Sequence, residues 1–124
     1  MTTPVTPPSL EVSRFEDSTV VRVVGCDGLN EDNSHAVGRQ LSSLVREQSC
    51  QRLVLNLDGI HYATSTALGH FVGLNRALRE SGGRLVILNP EPAVAEALSI
   101  TRLDTVIEVR PRPEDGAGPK GLPA

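Results

Sequence analysis

The sequence predicts an α/β fold: a mixed, mostly parallel sheet of about five strands, in the order β-β-α-β-α-β-α-β. Three observations carry this. Two apolar runs, residues 53–57 (LVLNL) and 85–88 (LVIL), each close on turn residues and read as buried strands of a sheet covered on both faces. Between them Leu68, Phe71, Val72, Asn75 and Leu78 recur at helical spacing, with Ala67 and Leu74 filling the stripe. Upstream, Leu10 and Val12 alternate with polar neighbours before a β-branched run at residues 19–24, the pattern of an antiparallel hairpin.

Taken in order, residues 10–15 form a first strand that ends at Glu16-Asp17-Ser18, and residues 19–24 form the second. Residues 25–32 read as a polar loop, with Asn30 or Asp32 placed to cap the helix that follows. In that helix Val37, Leu41, Leu44, Val45 and Gln48 share a face. The strand over residues 53–57 leads through Asp58-Gly59 to three hydroxyls, Thr64, Ser65 and Thr66, and a helix from 66 to 80. Ser81-Gly82-Gly83 stops that helix, because a glycine supplies the left-handed conformation a C-cap needs. After the strand over residues 84–88, Asn89-Pro90 begins a third helix, with Asn89 as cap and Pro90 at its first position. Val94, Ala97 and Leu98 form its apolar face, Ile100 and Leu103 continue the core, and Val106, Ile107 and Val109 make the last strand.

At 124 residues the chain is long enough for one domain that buries roughly two-thirds of its unfolded surface. The core must be aliphatic, since Phe15, Tyr62 and Phe71 are the only aromatic residues. Seven of the nine prolines lie in the first eight and last fourteen residues. Residues 1–8 and 111–124 therefore read as disordered tails, and residues 9–110 as the folded domain. The net charge is −3, and the twelve basic residues are scattered without the patch or stripe that nucleic acid binding leaves. Apolar runs are far too short for a membrane span, and the N-terminus lacks the regions of a signal peptide. Cys26 and Cys50 lack metal-type spacing and read as thiols of a cytoplasmic protein. No metal and no cofactor are expected, and a monomer or weak dimer is.

Catalytic motifs are absent. The stretch around Ser65 is T-S-T-A-L-G rather than G-x-S-x-G, and no GxxxxGK[ST], HExxH or CxxC occurs. His61 lies too near the hydroxyls in sequence to be aimed as a base, and the carboxylates are dispersed. The chain is thus not expected to be an enzyme. The hydroxyl cluster sits where a strand stops and a helix starts, beside unpaired N–H groups and the positive end of the helix dipole. Two roles fit: capping, or acceptance of phosphate, whose charge a helix N-terminus tolerates.

The segment LVLNLDGIHYATSTALGHFVGLNRALRESGGRLVILNPEPAVAEALSITRLDTVIEV, and the wider span of residues 10–109, resembles the STAS domain family, named for sulphate transporters and anti-sigma factor antagonists. Asp58-Gly59, Leu68-Gly69, Gly82-Gly83 and Arg102-Leu103-Asp104 stand at that family's motif positions. The resemblance implies a non-enzymatic regulator of transcription that works by partner switching. Such an antagonist binds an anti-sigma factor of the serine/threonine kinase type, the kinase phosphorylates it to end binding, and a phosphatase restores it. Laying the family's D-S-S-G motif on this chain puts Thr64 at the Asp, Ser65 at the first Ser, Thr66 at the phospho-acceptor and Ala67 at the Gly. Thr66 is then the expected acceptor and Ser65 the second choice. The docking face would comprise Asp58, His61, Tyr62, Thr64, Ser65 and Thr66. Thr64 and Ala67 depart from the motif, so a sensor or scaffold that binds a small ligand or nucleotide near Asp58 and Asn89 is the alternative.

Overall fold

A computed structural model describes residues 9–47 and 52–111. The strands are β1 (Ser9–Arg14), β2 (Thr19–Val24), β3 (Arg52–Asn56), β4 (Arg84–Leu88) and β5 (Glu108–Arg110). The helices are α1 (Glu31–Glu47), α2 (Ser65–Glu80) and α3 (Pro92–Ile100), and a 3₁₀ turn covers Leu103–Thr105. The sheet order is β1-β2-β3-β4-β5, with β1 antiparallel to β2 and the remaining pairs parallel. This is the α/β architecture and element order expected. The proposed tails lie outside the described residues, apart from exposed Pro111.

One expectation about the sheet fails. Each crossover moves one strand in the same direction, and right-handed connections then place every helix on the same face. Val21, Leu53, Leu55, Leu85 and Ile87 on that face join Val37 and Leu41 of α1, Phe71, Leu74 and Leu78 of α2, and Val94 and Leu98 of α3 in one core. β3 accordingly alternates rather than being buried throughout: Leu53 and Leu55 are buried, whereas Arg52, Val54 and Asn56 are half-buried on the other face. Val86, in the middle of that second face, is buried but stands outside the core cluster. Among the described residues, helices cover the sheet on one side only.

Local stops work as their chemistry dictates. At the end of α2, Gly82 (φ 84°) takes the left-handed conformation. Its N–H donates to Arg79 O at 3.0 Å, and the N–H of Gly83 to Leu78 O at 2.7 Å, the two bonds of a Schellman cap. At the other end α2 begins one residue earlier than expected, at Ser65, because Thr64 is the cap. α3 starts later than expected: Pro92, not Pro90, is its first residue. Asn89 is no cap, since its backbone is left-handed (φ 54°) and its N–H donates to Arg110 O at 2.9 Å, tying β4's end to β5. Ile100 is 73% exposed and outside the core, because the helix ends there and the chain turns away. Val106 is exposed too, ahead of a last strand that starts at Glu108.

Candidate functional site

Beyond the end of β3 the chain makes a tight turn. Asn56 Oδ1 accepts the N–H of Asp58 at 3.0 Å, Gly59 adopts φ 86°, and the Gly59 N–H donates to Glu91 Oε2 at 2.9 Å. Residues 60–64 then lead to α2. Thr64 has extended backbone and its Oγ1 accepts the Ala67 N–H at a long 3.5 Å. Ser65 and Thr66 occupy the first helical turn, which contains no acidic residue. The positive end of the α2 dipole is thus left without a compensating carboxylate of its own.

A second segment completes this edge. The loop before α1 lies parallel to residues 61–64 and is held by three backbone bonds: Leu29 N–H to Tyr62 O at 2.9 Å, His61 N–H to Asp27 O at 2.7 Å, and Thr64 N–H to Leu29 O at 2.9 Å. Leu29 is wholly buried and anchors the pair in the core. The ring of Tyr62, 43% exposed, lies on Gly28, where a Cβ would stand 1.9 Å from the tyrosine Cε1. Residues 27–31 therefore belong to the site, although their composition reads only as a polar loop. Leu29, an aliphatic side chain among Asp27, Gly28, Asn30 and Glu31, was the signal present.

The start of α1 carries a reciprocal cap. Asn30 Oδ1 accepts the Asn33 N–H at 2.9 Å, and Asn33 Oδ1 accepts the Asn30 N–H at 2.8 Å, a reciprocal capping box with asparagine at both places. Glu31 and Asp32 fill its first turn. α1 and α2 lie side by side, and polar contacts cross between their first turns. Thr66 Oγ1 donates to Glu31 Oε2 at 3.2 Å. One helical turn further, His70 Nε2 is 3.3 Å from His35 Nδ1, with the rings edge to face at 5.1 Å.

The structure thus gathers His61, Tyr62, Thr64, Ser65 and Thr66 on one edge. His61 and Ser65 are exposed, Thr64 and Thr66 half-buried. Asp58 lies at the same sheet end, on the side of the turn that Glu91 supports. The hydroxyls divide their roles: Thr64 caps, Thr66 bonds across to α1, and Ser65 is presented to solvent. Among the described residues no group of three or more His, Cys, Asp or Glu side chains is poised to hold a metal ion. Nor is any helix there long and apolar enough to cross a membrane. Partial burial pushes the Cys26 thiol up from its ordinary range, so it stays protonated at neutral pH. A cleft of about 530 Å³ lies along the second half of α2, between Val72, Arg76 and Arg79 and the exposed Val106, away from Asp58 and Asn89.

A family model for the STAS domain matches residues 9–116. The chain belongs to the STAS domain family. Among curated relatives, the anti-sigma F factor antagonist of Paenibacillus polymyxa is 22% identical over 100 residues, spanning 81% of this chain and 84% of that one. This STAS domain also superposes on an anti-sigma factor antagonist from Mycobacterium paratuberculosis with a TM-score of 0.74, at 20% identity over 93% of this chain and 94% of the other. The unphosphorylated anti-sigma factor antagonist SpoIIAA gives a TM-score of 0.68, at 19% identity over 82% of this chain and 87% of that chain. SpoIIAA of Bacillus in its phosphorylated form gives 0.62, at 18% identity over 82% and 90%. At these identities the superpositions speak for the fold.

Proposed function

We propose that this STAS domain is an anti-sigma factor antagonist that works by phosphorylation-controlled partner switching. The observation that carries the reading is the first turn of α2. It presents Ser65 and Thr66 at a helix start without an acid of its own, on an edge built from two stitched loops. Relatives named as anti-sigma factor antagonists support it. The partner is an anti-sigma factor of the serine/threonine kinase type, and a phosphatase reverses the modification. Thr66 is the acceptor and Ser65 the alternative, while Asp58, His61, Tyr62 and Thr64 complete the docking face. The domain acts by binding rather than catalysis, in the cytoplasm, as a monomer or weak dimer and without cofactor, metal, nucleic acid or membrane.

The chemistry is asymmetric. A carboxylate or phosphate at a helix start is tolerated by the dipole and the N–H groups there. The same charge pressed into a protein interface without a partner is desolvated, at a cost of several kcal/mol. The test is affinity capture of the tagged protein from its own lysate, with mass spectrometry to name the kinase and locate the phosphate. Calorimetry then compares the kinase's binding to the parent, Thr66→Glu, Ser65→Glu and Thr66→Ala. A captured kinase that phosphorylates neither Ser65 nor Thr66, or binds both Thr66→Glu and Ser65→Glu as tightly as the parent, overturns the reading.

A further inference from the structure

The environment of Thr66 decides how a phosphate there would act. A phosphate beside arginines orders what it touches, whereas one beside carboxylates repels it. Residues 25–38 and 57–75, which include this edge, contain no Lys or Arg, but do contain Asp27, Glu31, Asp32 and Asp58. The side chain that meets Thr66 Oγ1 is a carboxylate, Glu31, at 3.2 Å. Glu31 also directly follows Asn30, the cap of α1, and the loop stitched to residues 61–64.

We propose that Glu31 is the positioning residue that converts phosphorylation of Thr66 into a change of shape of the docking face. In the unmodified protein Glu31 accepts the Thr66 hydroxyl and holds the two helix starts together. A kinase moves a phosphoryl group from a nucleoside triphosphate onto Oγ1, and the hydroxyl proton leaves. The new ester oxygen has no hydrogen left to donate, so the bond to Glu31 is lost with the reaction. In its place two anions stand in contact, with no Lys or Arg from either segment between them. The phosphate turns to the unpaired N–H groups at the start of α2, and Glu31 swings away. The first turn of α1 loosens, and with it residues 27–30 against residues 61–64, the backbone on which Tyr62 is displayed. Ser65, exposed and without this carboxylate, would gain charge without that movement. The inference rests on the switch reading of Thr66.

A double-mutant cycle in the isolated protein tests it, comparing the parent, Thr66→Glu, Glu31→Gln and the double variant that carries both changes. The amide at position 31 keeps an oxygen to accept the hydroxyl bond and removes the charge, so Glu31→Gln alone leaves the cross-loop amides of Leu29 and Thr64 protected from exchange. The cycle cancels the helix-dipole contribution of each change and isolates the pair. Thr66→Glu should be better tolerated in the Glu31→Gln background by about 2–5 °C in melting temperature. That gap should shrink by half or more in about 1 M salt. Exchange at Leu29 and Thr64 should accelerate about tenfold in Thr66→Glu and return to the parent's rate in the double variant. Asp32→Asn removes the same charge from the same turn and should show no such coupling. Equal effects of Thr66→Glu with and without the Glu31→Gln change, or equal rescue by Asp32→Asn, overturn the proposal. The cycle contains no partner, so its outcome is independent of the binding experiment that judges the switch.

Discussion

α1 and α2 start side by side at the same end of the sheet and solve the problem of unpaired N–H groups differently. α1 is capped within its own sequence: Asn30 and Asn33 cap each other and Glu31 and Asp32 answer the dipole. α2 has one long cap contact from Thr64 and no acid in its first turn. An added anion would be redundant at α1 and fills a deficit at α2. The contrast explains why a modification would belong on Ser65 or Thr66 rather than on Ser34, the hydroxyl in the first turns of α1. Ser34 is 2% exposed, and the charge there is already balanced. The better-capped helix also reaches across with Glu31, so the deficit at α2 is partly met by its neighbour.

The largest effect expected is on binding. Thr66→Glu should lower affinity for the proposed kinase partner a hundredfold or more, and Thr66→Ala should bind constitutively, both read by calorimetry. Ser65→Glu separates the two hydroxyls, because Ser65 lacks the Glu31 contact. Parent-like affinity for both Glu variants would reduce the hydroxyls to caps.

Gly28→Ala comes next. The added Cβ cannot coexist with the Tyr62 ring in place, but that ring is partly exposed and can swing outward. We expect about a tenfold loss of partner affinity with a melting temperature lowered by under about 8 °C. A larger drop would mean that the ring is structural and the loop pairing rigid.

The caps themselves give a smaller contrast. Asn30→Ala should cost about 0.5–2 kcal/mol in urea denaturation, with Thr64→Ala at the lower end of that range because its contact is longer. Equal costs would show that α2 depends on Thr64 as fully as α1 depends on its box.

The smallest effect lies on the last strand, where charge is already paired. The hydrogen bond from Arg110, with Arg84 and Arg52 nearby, holds the Glu108 carboxyl below its usual range. The unfolded chain then binds this proton more readily, so the contribution is present above the unfolded pKa and is lost as pH falls through the folded one. Urea midpoints measured downward through the carboxylate range should fall slightly less steeply in Glu108→Gln. Identical slopes would mean that this exposed pair is screened away.

Much of this architecture was legible because its causes are local. The hairpin, the helical stripe from Leu68 to Leu78 and the stop at Ser81-Gly82-Gly83 follow from spacing and cap chemistry within a few residues. Even the candidate site was half legible, since three hydroxyls at a strand-to-helix junction mark a helix start in any context. Where local signals compete with pairing between strands, the pairing wins. Asn89-Pro90 looks like a cap and first turn, but parallel pairing of β4 with β5 claims the Asn89 backbone and delays α3 to Pro92.

The order of residues alone dictates the elements, their succession and the place of the hydroxyls on α2. Packing chooses what faces them. That every helix lies on one side of the sheet depends on the direction of successive crossovers, which an apolar run such as residues 53–57 does not encode. The pairing of Leu29 with residues 62–64 and the reach of Glu31 to Thr66 join positions more than thirty residues apart. Capping and periodicity are settled within one or two turns of chain. Which carboxylate meets which hydroxyl is settled only when two helices pack, because packing fixes the distance between groups that the chain leaves unconstrained.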